Sequence, residues 1–222
     1  MAEKDKDLLD TLRKMIEWFD GYAACHNADP FKIERLVSKK KEEDEIVRAW
    51  SQIRSDVSDI ISLPDSSKEI VKAQRKVQRY LPLYSVLLFA SALPMLMLFA
   101  THIAVSHFAL VGIFGIFVAA FCLVTVLRHR GNRRLYRMVR EYYAANGGRV
   151  SRQRAHIKSV AQKLVNSLAV SVRTERLNPE DYKIRLFSKD YSNIKILKQE
   201  KASNTEGPIY TAIVKARNSS QE

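Results

Sequence analysis

Residues 81–127 contain no Asp, Glu, Lys or Arg, whereas both flanks are dense in charge. A chain carrying such a run must find it an apolar environment, which constrains the fold more than any other feature. The run divides into two apolar segments, residues 81–100 and 108–127, each rising about 30 Å as a helix, the thickness of a bilayer's hydrocarbon core. The linker between them, residues 101–107, has room for a tight turn only. The pattern predicts a two-helix transmembrane hairpin.

Lys and Arg set its expected orientation. Lys72, Arg75, Lys76 and Arg79 precede the first segment. Arg128, Arg130, Arg133, Arg134 and Arg137 follow the second, and the linker has neither Lys nor Arg. The positive-inside rule then makes this an integral membrane protein with both termini cytoplasmic. No ionisable residue sits at the middle of either segment, which argues against an ion-coupled transporter. Pro94 predicts a kink. Tyr80 and Tyr84 read as interfacial anchors, and His102 and His107 as polar ends of the segments. Gly112, Gly115 and Ala119 form a small-residue stripe that permits close helix packing, within the hairpin or between copies.

The flanks complete a mainly α architecture. Residues 1–65 read as a helical region: Leu8, Leu12, Met15, Ile16, Phe19 and Ala23 share one face of a first helix. Asp29 and Pro30 start a second helix, and the mixed-sign run of residues 39–45 reads as a solvated face. Ile46, Trp50, Ile53, Val57 and Ile60 then recur with coiled-coil-like spacing. Residues 66–148 are expected to form the hairpin with helical extensions at its base, ended by a cap at Asn146-Gly147-Gly148. Residues 149–177 read as an amphipathic helix with Ile157, Val160, Ala161, Leu164, Val165, Leu168 and Val172 on its apolar face. Beyond Pro179 the period changes from 3.6 to 2, giving three short antiparallel strands around Ile184, Ile194 and Ile209–Val214. Residues 188–193 are expected as a hairpin connection between the first two. A helix must cover one face of such a sheet. Residues 217–222 read as a disordered tail.

Chemistry is sparse. Cys25 and Cys122 are the only cysteines, and their separate settings exclude a disulfide framework. The first apolar run begins only at residue 81, so no cleavable signal peptide is expected. There is no Gly-rich phosphate loop, CxxC, HExxH or GxSxG, and Cys25-His26 are helical neighbours that point apart. Asp56 and Asp59 share a helix face without a further signature. No cofactor, metal site or catalytic group is expected, and no residue motif carries a resemblance to a known family.

The net charge of +13 first suggests nucleic acid. Residues 1–80, however, balance their charges, and the whole excess lies in residues 128–222. Its core is the hairpin-flanking arginines together with Arg149, Arg152, Arg154 and Lys158, a patch suited to anionic lipid headgroups and, less well, to RNA or ribosomes. The function expected is a non-enzymatic membrane-anchored scaffold or accessory subunit that recruits a cytoplasmic protein partner. The alternatives are an oligomeric two-span channel or membrane-perturbing effector, and a tether for RNA or ribosomes.

Overall fold

The computed structural model describes residues 3–26, 30–38, 44–87, 89–90, 107–201 and 208–215. They form helices α1 (Glu3–Ala23), α2 (Pro30–Val37), α3 (Glu45–Ser62), α4 (Lys68–Gln78), α5 (His107–Asn146) and α6 (Ser151–Thr174), followed by strands β1 (Ile184–Leu186), β2 (Ile194–Lys201) and β3 (Pro208–Val214). Two compact units result. Met1–Ser62 and Asn146–Glu222 make a head, and Leu63–Ala145 make a helical hairpin.

In the head, α6 lies against both α1 and α3. Its apolar stripe from Ile157 to Val172 is buried throughout, as the periodicity requires. The facing stripe of α3, namely Ile46, Trp50, Ile53, Val57 and Ile60, is buried as well. That seam therefore closes inside the head rather than joining a second coiled-coil strand. On α1, Leu12, Met15, Ile16 and Phe19 are buried while Leu8 is exposed, and Leu9 takes the inward place. Phe19 and Trp50 meet with ring centroids 6.3 Å apart, fastening α1 to α3. Fully burying side chains of this size contributes about 1.5–3 kcal/mol each.

The sheet is antiparallel with order β1-β3-β2. Ile184 pairs with Ala212 and Leu186 with Tyr210. β2 pairs with β3 from Ile194 opposite Val214 to Lys201 opposite Pro208, with a bulge between Ile196 and Lys198. β1 and β2 are not neighbours, so residues 188–193 are not the hairpin connection their polarity predicts. They are held on the helices instead. Gln162 accepts from the Ser192 amide at 2.8 Å, and the Asn193 side chain donates to Asn166 at 3.0 Å. Cover comes from two helices, α1 against β1 and α6 against β3.

Helices α1 and α6 end alike. His26 N–H returns to the Gly21 carbonyl and Cys25 N–H to that of Tyr22, with Cys25 at φ 57°. Leu177 N–H returns to Val172 and Arg176 N–H to Arg173, with Arg176 at φ 53°. Both are left-handed caps of the kind glycine favours. The expected cap at Asn146-Gly147-Gly148 is absent: the described glycines have no positive φ, and Gly147–Val150 form a 3₁₀ turn before α6.

In the hairpin, Ser66 and Tyr142 share a hydrogen bond of 2.7 Å, and Tyr84 donates to Thr125 at 3.0 Å. Partners descend along α5 as they ascend from α4 into the helical residues 80–87, so the two arms run antiparallel. Tyr84 is therefore an internal fastener rather than an interfacial anchor. Its ring stands edge-on to Phe121 at 5.1 Å and lies 5.5 Å below the Arg128 guanidinium.

The transmembrane reading is corrected. No helix among the described residues is long and apolar enough to cross a membrane. Spanning needs about 20 consecutive apolar residues. The second segment is the front of α5, a 40-residue helix whose later half turns strongly basic. The integral-membrane placement with both termini cytoplasmic, and the two-pass membrane class, thus lose their support. What stands is a mainly helical chain with a small three-stranded antiparallel sheet. Pro94, His102, Asp29, most of the run 39–45 and the tail 217–222 lie outside the described residues.

Candidate functional site

Two regions combine exposure with unusual chemistry, one in each unit. The first is the outer part of the hairpin. Leu81, Leu83, Val86 and Phe89 on one arm are exposed, and so are Ile116, Val118, Leu123 and Val126 on the other. Phe89 is 72 % and Ile116 70 % exposed, values far from those of core residues. They are exposed because an arm two helices thick has only one inward seam, whereas residues 81–127 are uncharged on every side. The seam itself is tight lower down: a Cβ built on Gly131 would meet Val77 Cγ2 at 3.0 Å. At Gly112 and Gly115 the same construction meets no described atom within 4 Å. Ala119 is exposed too. Among the described residues nothing packs against the glycines of this stripe, so it is not the contact between the two described arms.

The arginines predicted as one patch divide between the two units. Arg128, Arg130, Arg133, Arg134 and Arg137 belong to α5 in the hairpin, while Arg149, Arg152, Arg154 and Lys158 belong to the head. Two of the latter have structural duties. Arg154 Nε donates to the Ala23 carbonyl at 2.6 Å, closing the end of α1. Lys158 pairs with Asp190, and its ammonium lies 5.7 Å from the Tyr191 ring. That pairing holds the Asp190 carboxyl below the usual carboxylate range. Arg152, by contrast, has no hydrogen-bond or ion-pair partner among the described residues.

The second region is a cleft of about 510 Å³ in the head, lined by Asp56 from α3 and by Arg152, Gln153 and His156 from α6. His156 Nδ1 and Asp56 Oδ2 lie 2.6 Å apart, and Gln153 Nε2 donates to Asp59 Oδ2 at 3.4 Å. The sequence shows that Asp56 and Asp59 share a face of α3. It does not show that His156 and Gln153, a hundred residues away, are brought opposite them. The spacing of Arg152 and His156, four apart on one helix, was the available signal.

The chain matches no family model, no curated protein and no solved structure. Function must be argued from the two regions themselves.

Other clusters in the head are structural. Asp20 is fully buried and accepts from Tyr191 Oη at 2.9 Å and from the amides of Phe187 and Ser188. Burial pushes its carboxyl up despite these donors. Glu17, one turn earlier, accepts from the Arg185 amide at 2.9 Å and is also pushed up by burial. Cys25 is half-buried, with its thiol pushed up by desolvation against the opposing pull of Arg154. His26 stacks on Phe187 at 4.0 Å rather than acting with Cys25. No group of three or more His, Cys, Asp or Glu side chains suited to a metal ion occurs among the described residues.

Proposed function

We propose that the chain is a non-enzymatic scaffold that associates with further copies of itself through the outer half of the hairpin, leaving the head to hold a protein partner. The observation that carries this reading is the exposed apolar side chains on both arms, among them Val86 and Phe89 on one and Ile116 and Val118 on the other. Contiguous apolar surface of this kind is rare on chains that act alone. Removing it from water gains about 25 cal/mol per Å². Because residues 81–127 offer no charge, a matching surface must be uncharged as well, and a second copy supplies one. Gly112, Gly115 and Ala119 favour a helical occupant, since open backbone along one stripe lets another helix approach closely.

The test is the mass of the full chain by light scattering over a range of concentrations, with and without mild detergent. Assembly beyond one chain in buffer, weakened by detergent and by Phe89→Asp or Ile116→Asp, is the expected result. A single-chain mass at every concentration, or assembly indifferent to both substitutions, refutes it.

A further inference from the structure

The lining residues of the cleft all belong to the head, and the cleft does not rest on the scaffold reading. Three features define its chemistry. First, the Arg152 guanidinium lines it and is exposed, with no anion paired to it among the described residues. A free guanidinium in a concave site is a fork of donors suited to an oxyanion. Second, Asp56 engages Nδ1 of His156 at 2.6 Å. An ionised carboxylate only accepts, so it fixes the proton on Nδ1 and leaves Nε2 as the ring nitrogen free for a ligand. That contact occupies Asp56 Oδ2, and no ion pair joins Asp56 to Arg152 among the described residues. Third, the Gln153 amide nitrogen is turned to Asp59, which leaves its carbonyl oxygen to accept from a ligand hydroxyl.

We infer that this cleft binds a small phosphomonoester bearing hydroxyl groups, with Arg152 and the His156 ring on the phosphate and Gln153 on a hydroxyl. A guanidinium fork and an imidazole together present more donors than the two oxygens of a carboxylate use well, whereas a phosphate has three terminal oxygens. The volume of about 510 Å³ suits a phosphorylated sugar or mononucleotide rather than a bare ion. Arg152 and His156 lie four residues apart on α6, one turn of the same helix, so a single phosphate is within reach of both. The sequence alone presents them as members of a general basic stretch. Only the apposition of α3 distinguishes them from Arg149, which stays outside the cleft.

The experiment titrates the full chain with ribose 5-phosphate, inorganic phosphate, ribose and acetate, following the His156 ring resonances by NMR and heat by calorimetry. Saturable displacement of the His156 signals by ribose 5-phosphate, weaker by inorganic phosphate and absent with ribose, is the expected pattern. Arg152→Gln and His156→Ala should each weaken ribose 5-phosphate at least about tenfold, the usual effect of losing a charge-assisted hydrogen bond. Arg152→Lys should fall between, keeping charge but losing the fork. Arg149→Ala should bind like the parent. Because Arg152 is exposed and unpaired, its variants should keep the parent's thermal midpoint, so that lost binding is not lost folding. Absence of saturable binding, an undiminished affinity in Arg152→Gln, or an equal loss in Arg149→Ala overturns the site. Acetate binding as tightly as ribose 5-phosphate overturns the ligand class.

Discussion

Asp20 on α1 and Tyr191 beyond β1 share a buried hydrogen bond of 2.9 Å across 171 positions of sequence. Through it, and through the amides of Phe187 and Ser188, one carboxylate ties the first helix to the chain leaving the first strand. Replacing Asp20 by Ala leaves three donors without their acceptor, the Tyr191 hydroxyl in a buried setting and the two amides in a part-buried one. At about 1–3 kcal/mol for an unsatisfied buried group, the loss should reach about 3 kcal/mol or more. Chemical denaturation of the full chain measures it, and a loss under about 1 kcal/mol would contradict the latch.

Asp20→Asn separates charge from shape. Burial raises the folded Asp20 pKa above its unfolded value near about 3.9. The native chain therefore binds this proton more tightly than the unfolded chain. Stability from that proton is fully present below the unfolded pKa and is lost as pH rises through the folded one. The asparagine does not titrate. Parent stability relative to Asp20→Asn should thus increase as pH falls from neutral into the acid range. A difference that stays flat or runs the other way would show that Asp20 is not raised. Glu17 shifts in the same direction in both proteins and cancels from the comparison.

Arg176 occupies a left-handed position at φ 53° at the end of α6 and is exposed. L side chains pay about 1–2 kcal/mol there, partly offset by glycine's greater unfolded freedom. Arg176→Gly should stabilise the head by about 0.5–1 kcal/mol, visible as a higher denaturant midpoint. Cys25 at φ 57° has the same backbone but is half-buried, so Cys25→Gly should gain less.

Two glycines of α5 should respond in opposite ways. Gly131 faces Val77, whose Cγ2 would have to give by a few tenths of an ångström to admit even a methyl group. Gly131→Leu should force the arms apart at a cost of about 1–3 kcal/mol, read as faster proteolysis between α4 and α5. Gly115 opens to space among the described residues. Gly115→Leu should leave the proteolysis rate unchanged while lowering self-association. The reverse ranking would place the packing seam on the wrong face.

Local sequence was informative wherever one element carried its own periodicity. The stripes of α3 and α6 and the three strands follow from spacing alone, because burial of one face repeats every 3.6 or 2 residues. The connection of residues 188–193 was not readable. Its polar composition fits a hairpin turn, but Asp20, Gln162 and Asn166, all distant in sequence, hold it elsewhere. The cleft was half readable: Asp56 with Asp59, and Arg152 with His156, are each a local pair. Their meeting requires α3 and α6 to pack.

The uncharged run of residues 81–127 marks the limit of such reading. Hydropathy specifies that these side chains avoid water, and the chain order specifies that two apolar arms are joined. Neither specifies what surrounds them. The side-chain partners that align the arms, Ser66 with Tyr142 and Tyr84 with Thr125, and the outward apolar face emerge from helix packing. The sequence by itself determined which segments are helical, which are extended and which faces are apolar, since those depend on neighbours within a turn. Tertiary structure alone decided the β1-β3-β2 order, the burial of Asp20 and the opposition of Asp56 to His156. Each of these depends on contacts between segments far apart in the chain, whose positions are fixed only when the whole core closes.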